Sequence, residues 1–146
     1  YAYSERLSGF QSEIAQIAPG IKLHSTRLKN DDNQTTKQAT LALLRQVPDL
    51  AGIYEITPGY DGVCQAVKEK SQNCDIHLIL HDEIVSNLYY LRDGTIDFVI
   101  GQNAEMQGAL PLSMLADVIQ LRQKPSKSNI FTDIRVLLRY NIDNLL

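Results

Sequence analysis

Residues 75–83, DIHLILHDE, contain the pattern that decides the fold. A largely apolar run of strand length leads directly into His81, Asp82 and Glu83, with no turn residue between them. A buried strand that ends in polar side chains is typical of parallel α/β sheets, in which ligands bind at the carboxyl ends of the strands. The stretch therefore predicts a strand at 75–81 and a polar site at its end.

Helical and strand patterns alternate on both sides of this stretch. The predicted helices span 3–17, 35–45, 60–71, 84–92 and 104–122, and the other predicted strands span 21–26, 51–56, 95–101 and 131–140. Such alternation predicts a three-layer, Rossmann-like α/β fold, with a parallel sheet and helices on both faces. The 146 residues contain no internal repeat or linker, so we expect a single domain over 1–146 with a real core.

Composition and charge argue against several classes of function. The net charge is −3 and the basic residues are scattered, whereas a nucleic-acid-binding surface is usually a basic patch. No apolar run approaches the roughly 20 residues that span a bilayer. Cys64 and Cys74 form no metal-binding pattern, and Cys64 falls on the apolar side of a predicted helix. We expect neither a metal nor a cofactor, and no membrane partner.

The motifs of phosphate binding and nucleophilic catalysis are missing from the sequence. Residues 57–62, TPGYDG, match neither GxGxxG nor a P-loop, and Gly62 is better explained by close helix–sheet packing. No GxSxG nucleophile motif occurs. His81 and Asp82 stay open as an acid–base pair or as two metal ligands. Asp82 could equally cap the helix predicted from residue 84.

Three polar side chains are expected to converge on one sheet edge. Gln102 follows strand 95–101 as Asp82 follows strand 75–81, and Arg6 lies in the first helix. A carboxylate accepts hydroxyl hydrogens and a guanidinium donates two hydrogen bonds in a fork, which suits a polyol. Because no nucleophile accompanies them, we favour binding over catalysis. An enzyme that uses His81 and Asp82 remains the alternative.

The order of several motifs resembles the C-terminal half of the ligand-binding core of lactose-repressor-family transcriptional regulators. The motifs are ERLSGF (5–10), AGIYEI (51–56), HLILHDE (77–83), TIDFVIGQ (95–102) and DIRVLLRYNID (133–143). That core shares its fold with the type I periplasmic sugar-binding proteins. The resemblance implies that the chain is one lobe of a two-lobed core in a longer protein, and that residues 104–137 cross to the other lobe.

The resemblance also implies site residues. Arg6 matches the arginine that contacts the effector, Asp82 the aspartate that holds sugar hydroxyls, and Gln102 the glutamine at the crossover between lobes. In the turn after the GIY strand, where this sequence departs from the usual Asn-Asp, Thr57 is the candidate. Asp31, in the polar loop before the second helix, is a weaker one.

The same resemblance implies a homodimer formed through the helices at 60–71 and 84–92. Its candidate interface residues are Tyr60, Val63, Leu88 and Tyr89. The alternative is that the side chains of helix 84–92 simply pack on the sheet, which is the favoured interpretation for Leu88.

The function implied by the resemblance is that of an effector domain. A small molecule, expected to be a sugar, closes the two lobes and alters DNA binding by a separate N-terminal domain outside this chain. We expect such a regulator to be cytoplasmic, in keeping with two unpaired cysteines. The alternative is a periplasmic sugar-binding protein of a transporter. The sequence of this lobe does not identify the sugar.

Overall fold

The computed structural model describes residues 2–28, 30–70 and 76–145. Its helices are α1 Ala2–Ile17, α2 Asn33–Gln46, α3 Tyr60–Lys70, α4 Val85–Arg92 and α5 Ala104–Ala116, and α5 continues as a π-helix over Asp117–Leu121. Its strands are β1 Gly52–Tyr54, β2 His77–His81, β3 Phe98–Gly101 and β4 Arg135–Leu137. Asp75, the first residue of the deciding stretch, and Cys74 lie outside the described residues.

The four strands form one sheet in the order β1-β2-β3-β4. β1, β2 and β3 are parallel, as predicted, and Ile79 lies between Tyr54 on one side and Phe98 on the other. β4 pairs antiparallel to β3, with Arg135 opposite Gly101, so the sheet is mixed and departs from the predicted parallel arrangement at this one strand. The connection from β3 leaves and returns at the same edge of the sheet, which forces β4 to run backwards.

The core lies on one face of the sheet. Side chains of β2 and β3 pack there against α3 and α4, since successive residues of a strand point to opposite faces. The opposite face carries Tyr54, whose ring centroid lies 4.8 Å from that of Phe10 in α1. The α/β class with helices on both sides of the sheet is therefore confirmed. The core residues are Tyr60, Val63, Cys64, Val67, Leu78, Leu80, Leu88, Leu91, Ile96, Val99, Leu137 and Ile142.

Helices α2 and α3 approach each other closely because α3 contains a glycine at the crossing. A Cβ atom added to Gly62 would lie 2.1 Å from the carbonyl oxygen of Asn33 and 2.9 Å from the backbone nitrogen of Lys37. The prediction that Gly62 permits close packing is right, but the packing partner is helix α2 rather than the sheet. This contact sets the position of the N-terminus of α3.

Two predicted elements differ in the structure. Residues 21–26 form no strand, and Ile21 and Leu23 are exposed, because apolar alternation makes a strand only where a partner strand lies beside it. The predicted helix 104–122 exists, but its apolar residues, which a helix packed on the sheet would bury, are largely exposed: Leu112 is 73% and Ile119 68% accessible. Among the helices that the structure describes, none is long and apolar enough to span a membrane.

Candidate functional site

Asp82 occupies an unusual backbone position at the junction of β2 and α4. Its φ is 69°, in the left-handed region that Asp and Asn tolerate better than most residues. The buried side chain of Asn87 donates hydrogen bonds of 2.9 Å to the carbonyl oxygens of both His81 and Asp82. The backbone nitrogen of Asp82 donates to Ile100 of β3 at 3.0 Å. These bonds aim the Asp82 side chain away from the strand and over the carboxyl edge of the sheet.

Both carboxylate oxygens of Asp82 accept a hydrogen bond from a neutral donor. The hydroxyl of Tyr60, the first residue of α3, donates to Oδ2 at 2.6 Å. The side-chain amide of Gln102, directly after β3, donates to Oδ1. The structure thus brings Asp82 and Gln102 together, as their positions after neighbouring strands predict. Helix α4 begins at Val85 with Ile84 at its N-cap and no side-chain cap bond, so Asp82 does not cap this helix.

Arg6 reaches the same edge of the sheet from α1. Its Nη1 donates a 3.1 Å hydrogen bond to the carbonyl oxygen of Ile56, just beyond β1. Burial raises the pKa of Tyr60 and lowers that of His81; the positive charge of Arg6 opposes the first change and reinforces the second. Within the described residues, neither Arg6 nor Asp82 is paired with an opposite charge.

The other two predicted ligand residues make different contacts. The backbone nitrogen and hydroxyl of Thr57 donate to Oε1 of Glu55 at 2.8 and 2.5 Å, so Thr57 closes the turn after β1. Burial raises the pKa of the Glu55 carboxyl, and the nearby charge of Asp31 raises it further, against the hydrogen bonds from Thr57. Asp31 is exposed in the loop before α2. The structure places Thr57 and Asp31 at the β1 end, beside Glu55 rather than on the Asp82 cluster.

His81 points into the protein rather than toward Asp82. Its side chain is buried, and its Nε2 lies 2.7 Å from the Tyr54 hydroxyl on the α1 side of the sheet. Burial, reinforced by the charge of Arg6 and opposed by that of Asp82, lowers the pKa of His81 to about 4. The imidazole is therefore neutral at pH 7. His81 and Asp82 do not form a hydrogen-bonded acid–base pair, and no group of three His, Cys, Asp or Glu within the described ranges could hold a metal ion.

The predicted dimer-interface residues divide between the core and the surface. Tyr60, Val63 and Leu88 are at most 5% exposed and pack inside this chain, which leaves them no surface to offer a second copy. Tyr89 is 60% exposed. An apolar stripe on a helix can be covered either by a neighbouring chain or by the chain's own core, and the sequence pattern is the same in both cases. Here the chain's own core covers three of the four predicted interface residues.

Tyr60, Tyr54 and Asn87 are the site residues that sequence reasoning missed. Tyr60 was assigned to a surface, although its position directly after the 57–59 turn places it at the carboxyl edge of β1. A buried polar residue such as Asn87 must find hydrogen-bond partners, and a polar position within an otherwise apolar helical stripe was the signal available for it. Tyr54 carried no signal, because a strand tyrosine is an ordinary core residue.

The chain belongs to a known family: residues 2–124 match the periplasmic binding protein domain. A search of curated protein sequences returns no match for this chain. The resemblance to the periplasmic sugar-binding fold is thus confirmed, whereas membership of the lactose-repressor branch remains a prediction.

Solved structures give the same fold. The chain is 25% identical to a sugar-binding protein of a sugar ABC transporter from Bacillus halodurans, with a TM-score of 0.85 over 97% of this chain and 52% of that one. It is 26% identical to AraP, an arabinose binding protein from Geobacillus stearothermophilus, with a TM-score of 0.84 over 98% of this chain and 52% of that one. A solute binding protein of an ABC transporter from Agrobacterium vitis, bound with α-D-tagatopyranose, is 25% identical, with a TM-score of 0.84 over 97% of this chain and 47% of that one. The chain therefore spans about half the length of these proteins.

Proposed function

We propose that the edge formed by Arg6, Asp82 and Gln102 binds a sugar, as one side of a cleft between two lobes. The observation that carries this proposal is the Asp82 carboxylate, fixed by two neutral donors and left without an ion-pair partner among the described residues. Each of its oxygens retains capacity to accept a hydroxyl hydrogen, since a carboxylate has about four lone-pair sites. Arg6 offers the complementary donors.

The comparisons support a sugar over other small polar ligands. AraP binds arabinose, and the Agrobacterium vitis protein was solved with α-D-tagatopyranose. Because this chain covers only about half of such proteins, the second set of contacts to a sugar would come from another lobe. We therefore expect weak binding by this lobe alone and tight binding by the full-length protein.

Binding without catalysis fits the chemistry of the edge. The histidine beside Asp82 is buried and neutral at pH 7, and its Nε2 is engaged by Tyr54, so it is poorly placed to take a proton from a bound ligand. Each oxygen of Asp82 already accepts one hydrogen bond, from Tyr60 or from Gln102, which fixes the carboxylate as an acceptor. These groups orient a hydroxylated ligand, and neither of them is arranged as a nucleophile.

The finer role that we propose is that of an effector domain in a cytoplasmic transcriptional regulator. The sugar would stabilise the closed arrangement of two lobes, and this preference would be linked to DNA binding by a separate domain. The resemblance of the ordered motifs to lactose-repressor-family proteins supports this role. The free thiol of Cys64, buried in the core, is compatible with a reducing compartment.

A second candidate is a sugar-binding protein that delivers its ligand to a transporter. The observation that favours it is that the similar solved structures from Bacillus halodurans and Agrobacterium vitis belong to ABC transporters. Selection of genomic DNA fragments by the full-length protein separates the two roles. Sequence-selective DNA retention that a sugar weakens supports the regulator, and no retention with or without sugar favours the transporter.

The sugar proposal is tested by calorimetric titration of the full-length protein with D-ribose, D-arabinose, D-galactose, D-fucose and D-tagatose. We expect one or more of them to bind, and Asp82→Ala to weaken that binding at least 30-fold. Asp143→Ala is the matched control, because Asp143 is 85% exposed and should leave affinity unchanged. Binding that survives Asp82→Ala at full strength would contradict the proposed site, and no binding of any of the five sugars would contradict the ligand class.

A further inference from the structure

We infer that Tyr60 is a positioning residue that sets how Asp82 receives a ligand, and so contributes to specificity. This inference rests on the proposed sugar site and goes beyond it, because Tyr60 acts through Asp82 and not by contact with the sugar. Its hydroxyl donates to Oδ2 of Asp82 at 2.6 Å, the length expected for a hydrogen bond between a hydroxyl and a charged oxygen.

The Tyr60 ring is itself inaccessible to a ligand. The residue is only 5% exposed and packs in the core with Val63 and other side chains of α3 and β2. Burial and the hydrogen bond to the Asp82 carboxylate both raise the pKa of the Tyr60 phenol, so the hydroxyl stays protonated and remains a donor at physiological pH. Tyr60 therefore presents one polar atom at the site, and that atom is already committed to Asp82.

The position of this hydroxyl is fixed by the packing of α3 on α2. A Cβ atom on Gly59 would lie 1.9 Å from the side-chain oxygen of Thr36, and one on Gly62 would collide with the backbone of α2. These two contacts, on either side of Tyr60, hold the first turn of α3 against α2. Tyr60 thus reaches Asp82 from a rigid element, and its hydroxyl cannot easily follow a movement of the carboxylate.

The consequence concerns the number of hydroxyls that Asp82 can hold. Each carboxylate oxygen has about two acceptor directions, and here Tyr60 fills one on Oδ2 while Gln102 fills one on Oδ1. One acceptor direction therefore remains free on each of the two oxygens of the carboxylate. This arrangement suits two hydroxyls on adjacent carbons of a sugar ring, one for each oxygen. Without the Tyr60 hydroxyl, Oδ2 gains a free direction and the carboxylate can rotate about the Gln102 bond.

The test is a double-mutant cycle in the full-length protein with Tyr60→Phe, Asp82→Asn and the combined variant. Affinities are measured by calorimetry for whichever of the five sugars titrated above binds most tightly and for its deoxy analogue, which lacks one hydroxyl of an adjacent pair. We expect Tyr60→Phe to weaken binding of the preferred sugar about tenfold. The ratio of its affinity to that of the deoxy form should also become smaller. In the Asp82→Asn background the same substitution should change affinity less than twofold. Tyr89→Phe, at an exposed tyrosine, controls for loss of a hydroxyl.

The outcomes separate the inference from the proposed function. If the wild type binds none of the five sugars, the proposed function fails and this inference fails with it. If the wild type binds but Tyr60→Phe leaves affinity and preference unchanged, the sugar site stands and the role of Tyr60 is refuted. An equal effect of Tyr60→Phe with and without Asp82 would mean that Tyr60 contacts the sugar directly, which also refutes it.

A ligand-free measurement covers the case in which Asp82→Asn binds too weakly to titrate. In ultraviolet titration of tyrosine ionisation, one of the buried tyrosines should ionise at a lower pH in Asp82→Asn than in the wild type. The pKa of that tyrosine falls because the carboxylate charge that opposes ionisation has been removed. Its signal should be absent in Tyr60→Phe. Identical titrations of the wild type and Asp82→Asn would show that the two side chains are not coupled, and would overturn the inference.

Discussion

The side-chain nitrogen of Asn87 lies 2.9 Å from the backbone carbonyl oxygen of Asp82 and holds that residue in its left-handed conformation. Asn87 is fully buried, and the same nitrogen also donates to the carbonyl of His81. One side chain of α4 therefore satisfies two carbonyl groups at the end of β2. It connects the first turn of the helix to the residue on which we expect the ligand to bind.

Asn87→Ala should destabilise the protein and weaken sugar binding together. Two buried carbonyls would lose their donor, which costs about 2 kcal/mol in the free energy of unfolding, measured by urea denaturation. Because Asp82 would also lose its backbone restraint, we expect affinity to fall more than tenfold. Gln38→Ala, at an exposed position of α2, is the control. Unchanged affinity in a folded Asn87→Ala protein would show that the left-handed conformation does not depend on this side chain.

Two glycine substitutions should change stability in opposite directions. Gly62→Ala places a methyl group within 2.1 Å of the Asn33 carbonyl oxygen, and forcing α2 and α3 apart should cost about 2 kcal/mol of unfolding free energy. Gly108→Ala, in α5, meets no atom within 4 Å and should stabilise the helix by up to about 1 kcal/mol. Thermal and urea unfolding of both variants provide the measurement. A stabilising Gly62→Ala would contradict the close packing of the two helices.

Burial of His81 should make stability depend on pH below neutrality. The folded-state pKa is about 4, against an ordinary value of 6.5, so the unfolded chain binds the proton more readily. The contribution of His81 is therefore fully present above pH 6.5 and is lost as the pH falls from 6.5 toward 4. We expect the free energy of unfolding to fall by about 2 kcal/mol over this pH range because of His81, in addition to the fall that protonation of carboxylates causes.

The variant His81→Gln isolates this effect. It removes the titrating imidazole and keeps polar atoms near the Tyr54 hydroxyl. The difference in unfolding free energy between wild type and variant should shrink or change sign as the pH is lowered from 7 to 4. Parallel pH profiles for the two proteins would mean that the imidazole is not protected from protonation in the folded state.

Gln102→Glu should convert a supporting contact into a repulsive one. The amide that donates to Oδ1 of Asp82 would be replaced by a second carboxylate, and two carboxylates in contact cannot easily both be ionised. We expect sugar affinity to fall at least tenfold at pH 7 and to recover partly toward pH 5, as the pair takes up a proton. Gln123→Glu makes the same charge change at an exposed position. If the two substitutions lowered sugar affinity equally, the change in net charge alone would explain the loss.

Much of the fold could be predicted because one stretch combines two signals. The apolar run that ends in His81 and Asp82 predicted both the strand and the polar side chains at its carboxyl end, and the same logic placed Gln102. The direction of β4 could not be predicted in this way, because alternation of apolar residues is the same read in either direction along a strand. Residues 21–26 show the related problem, since their pattern fits a strand but a ladder also needs a neighbour.

The site was predicted less completely because its geometry depends on tertiary contacts. Arg6, Asp82 and Gln102 lie at one edge, as expected, since strand ends and the helix beside them converge there. The role of Tyr60 depends on the closeness of α2 and α3, which two glycines permit but which no pattern in the sequence measures. Thr57 was predicted from its position in a turn, and in the structure it hydrogen-bonds to Glu55, two residues earlier.

The hydrogen bonds from Tyr60 and Gln102 have a kinetic consequence for whatever binds Asp82. Ordering a flexible side chain during association costs about 0.5–1.5 kcal/mol, and at Asp82 that entropy is lost when the chain folds. A ligand that arrives therefore meets a receptor group already immobilised in a single rotamer. Since affinity differences among related complexes lie mostly in the dissociation rate, this rigidity should lengthen the residence time of the ligand more than it speeds its arrival.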